Sequence, residues 1–196
     1  MSPRQSADVA ARTKRRITRS AALRASRLGL EGVTVGDLAV ELAMSKSGVV
    51  GPFGSRAELL SAALADAVAV FHDAVIAPLK DHPPGLARLH LLIDCWIDYL
   101  ADCPFPGGCF ITAASTELDG RPGPLHDQLA EVIGSWRRFL TDEIANAREE
   151  LSDADANRIT LTLIGIAMAT NEAVQLLRDA DAPTVGRKAM RRAVEP

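Results

Sequence analysis

Residues 34–60 read TVGDLAVELAMSKSGVVGPFGSRAELL, and this stretch decides the fold. Thr34, with an acidic residue three positions later, is a variant of the capping box that begins an α-helix. Ser45 is a preferred N-cap residue for a second short helix. Gly51-Pro52 must end that helix, because the residue before a proline disfavours the α conformation. With Ala43-Met44 as the turn, the stretch predicts a helix-turn-helix.

The flanking segments complete a small helical head. From about Val9 to Leu28, apolar side chains recur at helical spacing, basic residues cluster toward the start, and Gly29 is a typical helix stop. Beyond the quoted stretch, Ser55-x-x-Glu58 is a capping box for a long helix that continues to about Ile76. Residues 1–8 are polar, and we expect them to be disordered.

Charge is distributed unevenly, although the net charge is only −3. Residues 1–60 contain 10 Lys and Arg against 5 Asp and Glu, whereas residues 61–196 contain 12 against 20. A basic head on an acidic body is expected when one end of a protein approaches phosphates. We therefore expect the head to bind double-stranded DNA.

The remaining composition excludes several classes. The four His residues lack metal-site spacing, and no nucleophile elbow, P-loop or dinucleotide motif is present, so we expect no enzyme, metal or cofactor. Three cysteines in a chain without a signal-peptide pattern indicate reduced thiols. No apolar run reaches the ~18 residues of a membrane span. We expect a cytoplasmic protein that does not bind a membrane.

Downstream of the head, apolar periodicity predicts helices only. A helix begins at Pro83-Pro84, a short one covers about Cys109–Leu118, and two long ones cover about Leu125–Leu151 and Asp153–Asp179, with one weak basic helix after Pro183. The fold is therefore predicted to be all-α. Its domains are predicted as residues 9–55 for helix-turn-helix DNA binding, residues 56–182 for effector binding and dimerisation, and residues 183–196 as a tail.

This order of elements resembles the TetR (tetracycline-repressor-like) family of transcriptional regulators. The head matches that family's pattern at Gly29, Thr34, Leu38, Ala39, Met44, Ser45, Ser47, Val49, Phe53, Ser55, Arg56 and Leu59. The C-terminal part resembles one branch of the family's ligand-binding domains through Gly107-Gly108-Cys109, Glu117-x-Asp119-x-Arg121-Pro122-Gly123 and Trp136. The resemblance implies a homodimeric transcriptional repressor. A small-molecule effector is expected to release it from a near-palindromic operator.

Three positions depart from the family pattern. Ala43 stands where the turn glycine is expected, Val50 replaces a tyrosine that usually holds a phosphate, and Pro52 replaces a histidine. These departures motivate a second hypothesis, a ligand-binding or interaction protein with a degenerate DNA reader. A third hypothesis is a thiol sensor that uses Cys109, with Cys103 as the resolving partner.

The DNA site is predicted at the start of the second helix of the motif, which enters the major groove. Its side chains and supporting phosphate contacts are predicted to be Arg15, Arg16, Arg19, Thr34, Ser45, Lys46, Ser47, Gly48 and Arg56.

A ligand pocket is predicted around the Pro-Gly-Gly loop, because an apolar cavity with few polar groups is a typical ligand site. Its candidates are Trp96, Tyr99, Leu100, Cys109, Phe110, Ala114 and Trp136, although aromatic residues at helical spacing are also typical of a core. Asp94 and Asp98 lie one helical turn apart and are interpreted as a solvated face. The apolar stripes of residues 125–151 and 153–179 predict the dimer contact.

Overall fold

The computed structural model describes residues 3–195 of the 196-residue chain, with side chains described from Ala7 onward. Within that range the chain is all-α, as predicted, and contains no strand. The helices are α1 (Pro3–Leu28), α2 (Val35–Glu41), α3 (Lys46–Val50), α4 (Arg56–Phe71), α5 (Leu86–Ala101), α6 (Phe110–Leu118), α7 (Pro124–Ala147), α8 (Asp153–Glu172) and α9 (Ala182–Val194).

The start of α1 corrects one expectation. Residues 3–8 are helical rather than disordered, because α1 begins at Pro3. Met1 and Ser2 lie outside the described residues.

The caps predicted in the head are confirmed. Thr34 Oγ1 accepts the N–H of Asp37 at 3.1 Å, and Ser45 Oγ accepts the N–H of Gly48 at 3.0 Å. Ser55 Oγ likewise accepts the backbone N–H three residues later at 3.1 Å. Each bond satisfies a donor that the first turn of a helix leaves unpaired, which is why the three helices begin where they do.

Two helices change geometry at their C-terminal ends. α4 passes into a π-helical turn at His72–Ile76 and a 3₁₀ turn at Ala77–Leu79. α8 passes into a π-helical turn at Ala173–Leu177, and Arg178 in the left-handed conformation (φ 57°) ends it. The helical hydrogen bonding predicted over these segments is therefore present, but it is not α-helical to the end.

The chain forms two compact units that do not follow chain order. The first unit consists of Met1–Val68 and Phe105–Leu129, and the second consists of Ala69–Pro104 and Ala130–Pro196. Two of the three limits fall inside α4 and α7, and the third falls between α5 and α6. This partition by packing differs from the functional division at residues 55 and 182, which stays a prediction.

α9 belongs to the packed body of the second unit. Its buried stripe is formed by Ala182, Gly186, Met190 and Val194. A Cβ on Gly186 would lie 2.3 Å from Thr170 Oγ1, so the glycine allows α9 to approach α8 closely. The weak helix predicted after Pro183 is thus an integral element.

Each unit has its own apolar core. In the first unit the fully buried side chains include Ile17, Leu38, Val49, Leu59 and Leu64. In the second they include Leu89, Ile93, Ile97, Leu140 and Leu163. Most of these positions belong to the apolar patterns from which the helices were predicted.

Two helical stretches are long and apolar enough to span a membrane by composition alone, Arg56–Leu79 and Asp153–Leu177. Core helices of soluble proteins meet the same criterion. Both stretches contribute buried side chains to the cores described above, among them Leu59 and Leu163.

Candidate DNA-binding surface and ligand-binding region

The recognition helix of the predicted motif is α3, which has only five residues. Val49 is fully buried and anchors it in the head, while Lys46 and Ser47 are exposed at its N-terminal end. Gly48 is half-buried beside the Ser45 cap. The structure thus brings the four predicted residues of the recognition helix together at one edge, with a single cation among them.

The turn before α3 tolerates its missing glycine. Ala43 adopts the left-handed conformation with φ 53°, which glycine adopts without strain and alanine at a cost. The N–H of Met44 donates to the carbonyl of Ala39 at 2.8 Å, and the turn closes. Its geometry is therefore that of a complete helix-turn-helix, at some cost in stability.

Thr34 and Lys46 come together from different helices. A Cβ on Gly36 would lie 3.8 Å from Thr34 Oγ1 and 3.9 Å from Lys46 Nζ. The side chain of Lys46 therefore lies across the start of α2. Thr34, besides capping that helix, borders the same edge.

Three of the predicted phosphate contacts are engaged inside the protein. Arg16 Nη2 donates to the Leu42 carbonyl at 2.6 Å, at the end of α2. Arg19 forms an ion pair with Asp66 at 3.5 Å, and its guanidinium lies 4.7 Å from the ring centroid of Phe105. These contacts give both arginines a structural role that spacing alone does not reveal.

Arg56 is the third. Its guanidinium donates to the backbone carbonyls of Val33 (2.8 Å), Leu30 (2.9 Å) and Glu31 (3.3 Å). The predicted helix N-terminal phosphate contact is thus occupied with backbone acceptors of the connection between α1 and α2. Arg15, by contrast, is exposed on α1.

Lys14 was missed by the sequence analysis. Its Nζ lies 5.1 Å from the ring centroid of Phe53, within the range of a cation–π contact. Lys14 is exposed on α1 and is held beside the loop that follows α3. Its place in the basic run of α1 was visible, but its contact with Phe53 depends on the fold.

An aromatic cluster forms the centre of the predicted ligand region in the second unit. The ring centroid of Trp136 lies 5.0 Å from the ring centroids of Trp96 and Phe71, and both pairs are edge to face. It lies 5.8 Å from the ring centroid of Phe139. Tyr99 lies 5.2 Å from Phe71. Trp96, Tyr99 and Leu100 are buried on α5. Phe71 and Phe139 were not among the predicted ligand residues.

The other three predicted ligand residues lie in the first unit. Cys109 and Phe110 are buried at the start of α6, and Ala114 is buried at its middle. The ring centroids of Phe110 and Phe105 are 5.8 Å apart. The structure thus divides the predicted pocket residues between its two units.

The three thiols differ in burial, and the thiol-sensor hypothesis for Cys109 and Cys103 stays a prediction. Cys109 is buried, with 5% of its surface exposed, and Cys103 is half-buried. Burial raises the pKa of the Cys95 thiol, and the charges of Asp98 and Asp94 raise it further. A raised pKa disfavours the reactive thiolate.

Asp94 corrects the interpretation of α5 as carrying a solvated carboxylate face. Its carboxylate accepts hydrogen bonds from Arg187 at 2.9 Å and Arg191 at 2.5 Å, both on α9. Burial raises the pKa of Asp94, but the hydrogen bonds from the two arginines outweigh burial and hold that pKa below its usual value. Asp98 is exposed and pairs with Arg187 at 2.6 Å. Asp94 therefore fastens α9 to α5.

Exposed apolar side chains are concentrated on α8, the turn after it and α9. Five of the eight exposed large apolar side chains among the described residues lie there, each 46–72% exposed: Leu161, Met168, Leu176, Leu177 and Val185. The other three, Val9, Leu28 and Val40, lie on α1 and α2. The stripe predicted on α7 is different, because Leu129, Val132, Ile133, Trp136 and Leu140 are buried or half-buried within this chain. The exposed apolar surface of this chain therefore lies mainly on α8 and α9, and the predicted dimer contact through residues 125–151 and 153–179 stays a prediction.

Among residues 3–195, no cluster of three or more His, Cys, Asp or Glu side chains could hold a metal ion.

Comparisons with known proteins agree with this architecture. The model for the tetracyclin repressor-like C-terminal domain matches residues 85–190, more than half of the chain. No curated protein is significantly similar in sequence.

Solved structures extend the likeness over nearly the whole chain. A TetR transcriptional regulator from Chloroflexus aurantiacus is 21% identical with a TM-score of 0.84, over 95% of this chain and 96% of that one. A putative transcriptional regulator from Saccharomonospora viridis in complex with choline is 18% identical with a TM-score of 0.78, over 93% and 95%. AibR in complex with isovaleryl coenzyme A and operator DNA is 16% identical with a TM-score of 0.72, over 91% and 96%. The chain therefore belongs to the TetR family of transcriptional regulators, a family of generally non-enzymatic transcription factors.

Proposed function

We propose that this protein is a homodimeric repressor that binds a near-palindromic operator and is released by a small-molecule effector. The observation that carries the proposal is the edge formed by α3, where exposed Lys46 and Ser47 follow a capped helix start after a complete turn. In a helix-turn-helix, these are the positions that reach base edges in the major groove.

Lys46, Ser47 and Gly48 are proposed to face the bases, with Thr34, Arg15 and Lys14 beside the phosphates. Of the predicted DNA residues, Arg16, Arg19 and Arg56 are assigned to holding the head together. Lys14, which contacts the Phe53 ring, is proposed as a further phosphate contact in a head that has Val50 instead of the tyrosine of the family pattern. The head therefore keeps a DNA-binding surface despite its departures from the family pattern.

Dimerisation is proposed through the exposed apolar residues of α8 and α9. Leu161 is 59% exposed and Met168 is 46% exposed, and both lie on one face of α8. Burial of this face against a second copy of the chain would stabilise a dimer. Twofold symmetry then sets two recognition helices about one DNA turn, ~34 Å, apart.

The effector is proposed to bind beside the aromatic cluster of the second unit, at Trp96, Tyr99, Leu100 and Trp136. The predicted residues of the first unit, Cys109, Phe110 and Ala114, stay candidates as well. Structural neighbours carry ligands as different as choline and isovaleryl coenzyme A, so the fold does not specify the effector. The chain's two tryptophans both lie in the cluster, and their fluorescence is a direct probe of candidate effectors.

Binding-site selection from random duplex DNA tests the function. The full-length protein should enrich paired, inverted half-sites at one preferred separation. Enrichment of no sequence would contradict operator binding, and enrichment of single half-sites would contradict the dimer. A ligand-binding protein with a degenerate reader would give the first of these results.

A further inference from the structure

The connection between α1 and α2 is held by side chains from two other helices of the first unit. The N–H groups of Leu30 and Glu31 donate to the two carboxylate oxygens of Glu117, at 2.7 and 3.1 Å. The carbonyls of the same two residues accept from Arg56 at 2.9 and 3.3 Å. Both backbone polar groups of each residue are thus bonded to a charged side chain, and hydrogen bonds of this kind are the stronger ones.

Glu117 fits closely against this connection. Its side chain is 19% exposed at the end of α6. A Cβ at Gly29 would lie 2.8 Å from Glu117 Oε2, and Gly29 itself has φ 74°. Glycine at position 29 therefore serves two purposes, the left-handed helix stop and the room for the carboxylate. On the solvent-exposed side, Arg121 Nη1 forms ion pairs with Glu117 Oε1 at 4.0 Å and with Glu31 Oε1 at 3.7 Å.

The segment that leads into α6 grips α1 as well. A Cβ on Gly107 would lie 1.6 Å from the carbonyl oxygen of Ser26, so only glycine permits this approach of two backbones. Ser26 lies in the last turn of α1, and Leu30 follows just after it. The C-terminal end of α1 is therefore held from both ends of α6, by backbone packing at Gly107 and by the carboxylate of Glu117.

We propose that Glu117 is a positioning residue that sets the orientation in which α2 and α3 are presented to DNA. This inference rests on the proposed function, because orientation matters only for a dimer that reads two half-sites. The connection at Leu30 and Glu31 leads directly into α2, whose packing carries α3 with it. The separation of half-sites that the dimer prefers should then depend on the contact of Glu117 with Leu30 and Glu31.

The test is a selection on full-length protein with a library of two fixed half-sites at varied separation. In Glu117→Ala, enrichment of the preferred separation over separations one base pair longer or shorter should fall about tenfold, the equivalent of one lost charge-assisted contact. Affinity for a duplex with one half-site should stay within about twofold of the parent. Asp119→Ala is the matched control, since Asp119 is exposed at the end of the same helix and its removal should change neither quantity.

Three results would overturn the proposal. One is an unchanged preference for separation in folded Glu117→Ala. Another is a parallel loss of single half-site affinity, which would assign Glu117 to the fold of the head. If the alanine variant does not fold, Glu117→Gln replaces it, since Gln keeps the shape but can accept from only one of the two N–H groups, and failure of this variant to fold or to broaden the preference is the third. Failure of the parent protein to select paired half-sites would instead contradict the proposed function.

Discussion

Arg88 and Glu143 form a two-point ion pair in the second unit, with Nε–Oε2 and Nη2–Oε1 both 2.8 Å. The residue Glu143 is 5% exposed. The remaining Arg88 nitrogen donates to the carbonyls of Leu79 (3.3 Å) and His82 (2.9 Å), so one side chain joins α5 to α7 and to the segment after α4.

Removal of one partner of this pair should be strongly destabilising. Arg88→Ala leaves a buried carboxylate without its counter-ion, a change that lowers the free energy of unfolding by about 3–5 kcal/mol. The double variant Arg88→Met, Glu143→Leu should lose much less, because no buried charge remains. Urea unfolding measures both. Arg158→Ala, which breaks an exposed pair with Asp155, is the control and should cost less than about 1 kcal/mol. Equal losses in the single and double variants would contradict this account of Arg88.

Asp94 predicts an acid-sensitive attachment of α9. Its pKa is depressed in the folded protein, because hydrogen bonds from the α9 arginines outweigh the opposing effect of burial. A depressed folded pKa gives stability that is present above the unfolded pKa, about 4, and is lost as the pH falls through the folded pKa. The parent protein should therefore lose more stability below about pH 4 than Asp94→Asn does. Unfolding at pH 3 to 6 measures the difference, with Asp98→Asn as the exposed comparison. Parallel acid profiles of parent and Asp94→Asn would refute the prediction.

Alanine substitution of Lys46 should affect DNA affinity, whereas alanine substitution of Arg56 should affect stability. Lys46→Ala should weaken operator binding with little change in stability, and a phosphate contact would reduce the slope of log affinity against log salt by about 1. Arg56→Ala should lower stability, since three carbonyls lose their donor. A salt titration of operator binding and a thermal melt separate the two effects. Lys188→Ala, at an exposed position of α9, should change neither. An unchanged salt slope and affinity in Lys46→Ala would remove Lys46 from the interface.

Local contacts explain which parts of the fold were predictable. Thr34, Ser45 and Ser55 each cap a helix by a bond to a residue three positions away, so the chain itself records the contact. The partners of Arg56 are 23–26 residues away and those of Glu117 are 86–87 away. An arginine near the start of a helix therefore looks the same in the sequence whether its guanidinium binds a phosphate or backbone carbonyls of the same protein.

The same ambiguity limited the prediction of the dimer surface and of the ligand region from sequence. Apolar residues on α7 and on α8 recur at one helical spacing, yet Leu140 is fully buried and Leu161 is 59% exposed. Periodicity reports that a face is apolar and leaves open what covers it. Trp96 and Trp136 were both candidates, but their edge-to-face contact at 5.0 Å joins helices α5 and α7, 40 residues apart in sequence.

Ala43 should be improved by glycine. The residue has φ 53°, a conformation that costs alanine but not glycine, so Ala43→Gly should raise the free energy of unfolding by about 1 kcal/mol. The matched control is Ala65→Gly, the same substitution at an exposed position inside α4, which should lower stability by about 1 kcal/mol. Denaturant midpoints compare the two. A loss of stability in both variants would show that the turn is not left-handed at Ala43.

Charge on the exposed face of α8 should separate the proposed dimer. Leu161→Glu and Met168→Glu place carboxylates on a face that the proposal buries against a second copy, where an unpaired charge is costly. Each variant should sediment as a monomer at concentrations at which the parent is a dimer, and affinity for the paired operator should fall while single half-site binding persists. Leu28→Glu adds the same charge at a 56% exposed leucine of the first unit and should leave the dimer intact. Dissociation by Leu28→Glu but not by the α8 variants would move the interface to the first unit, because a twofold contact requires the same surface on both copies.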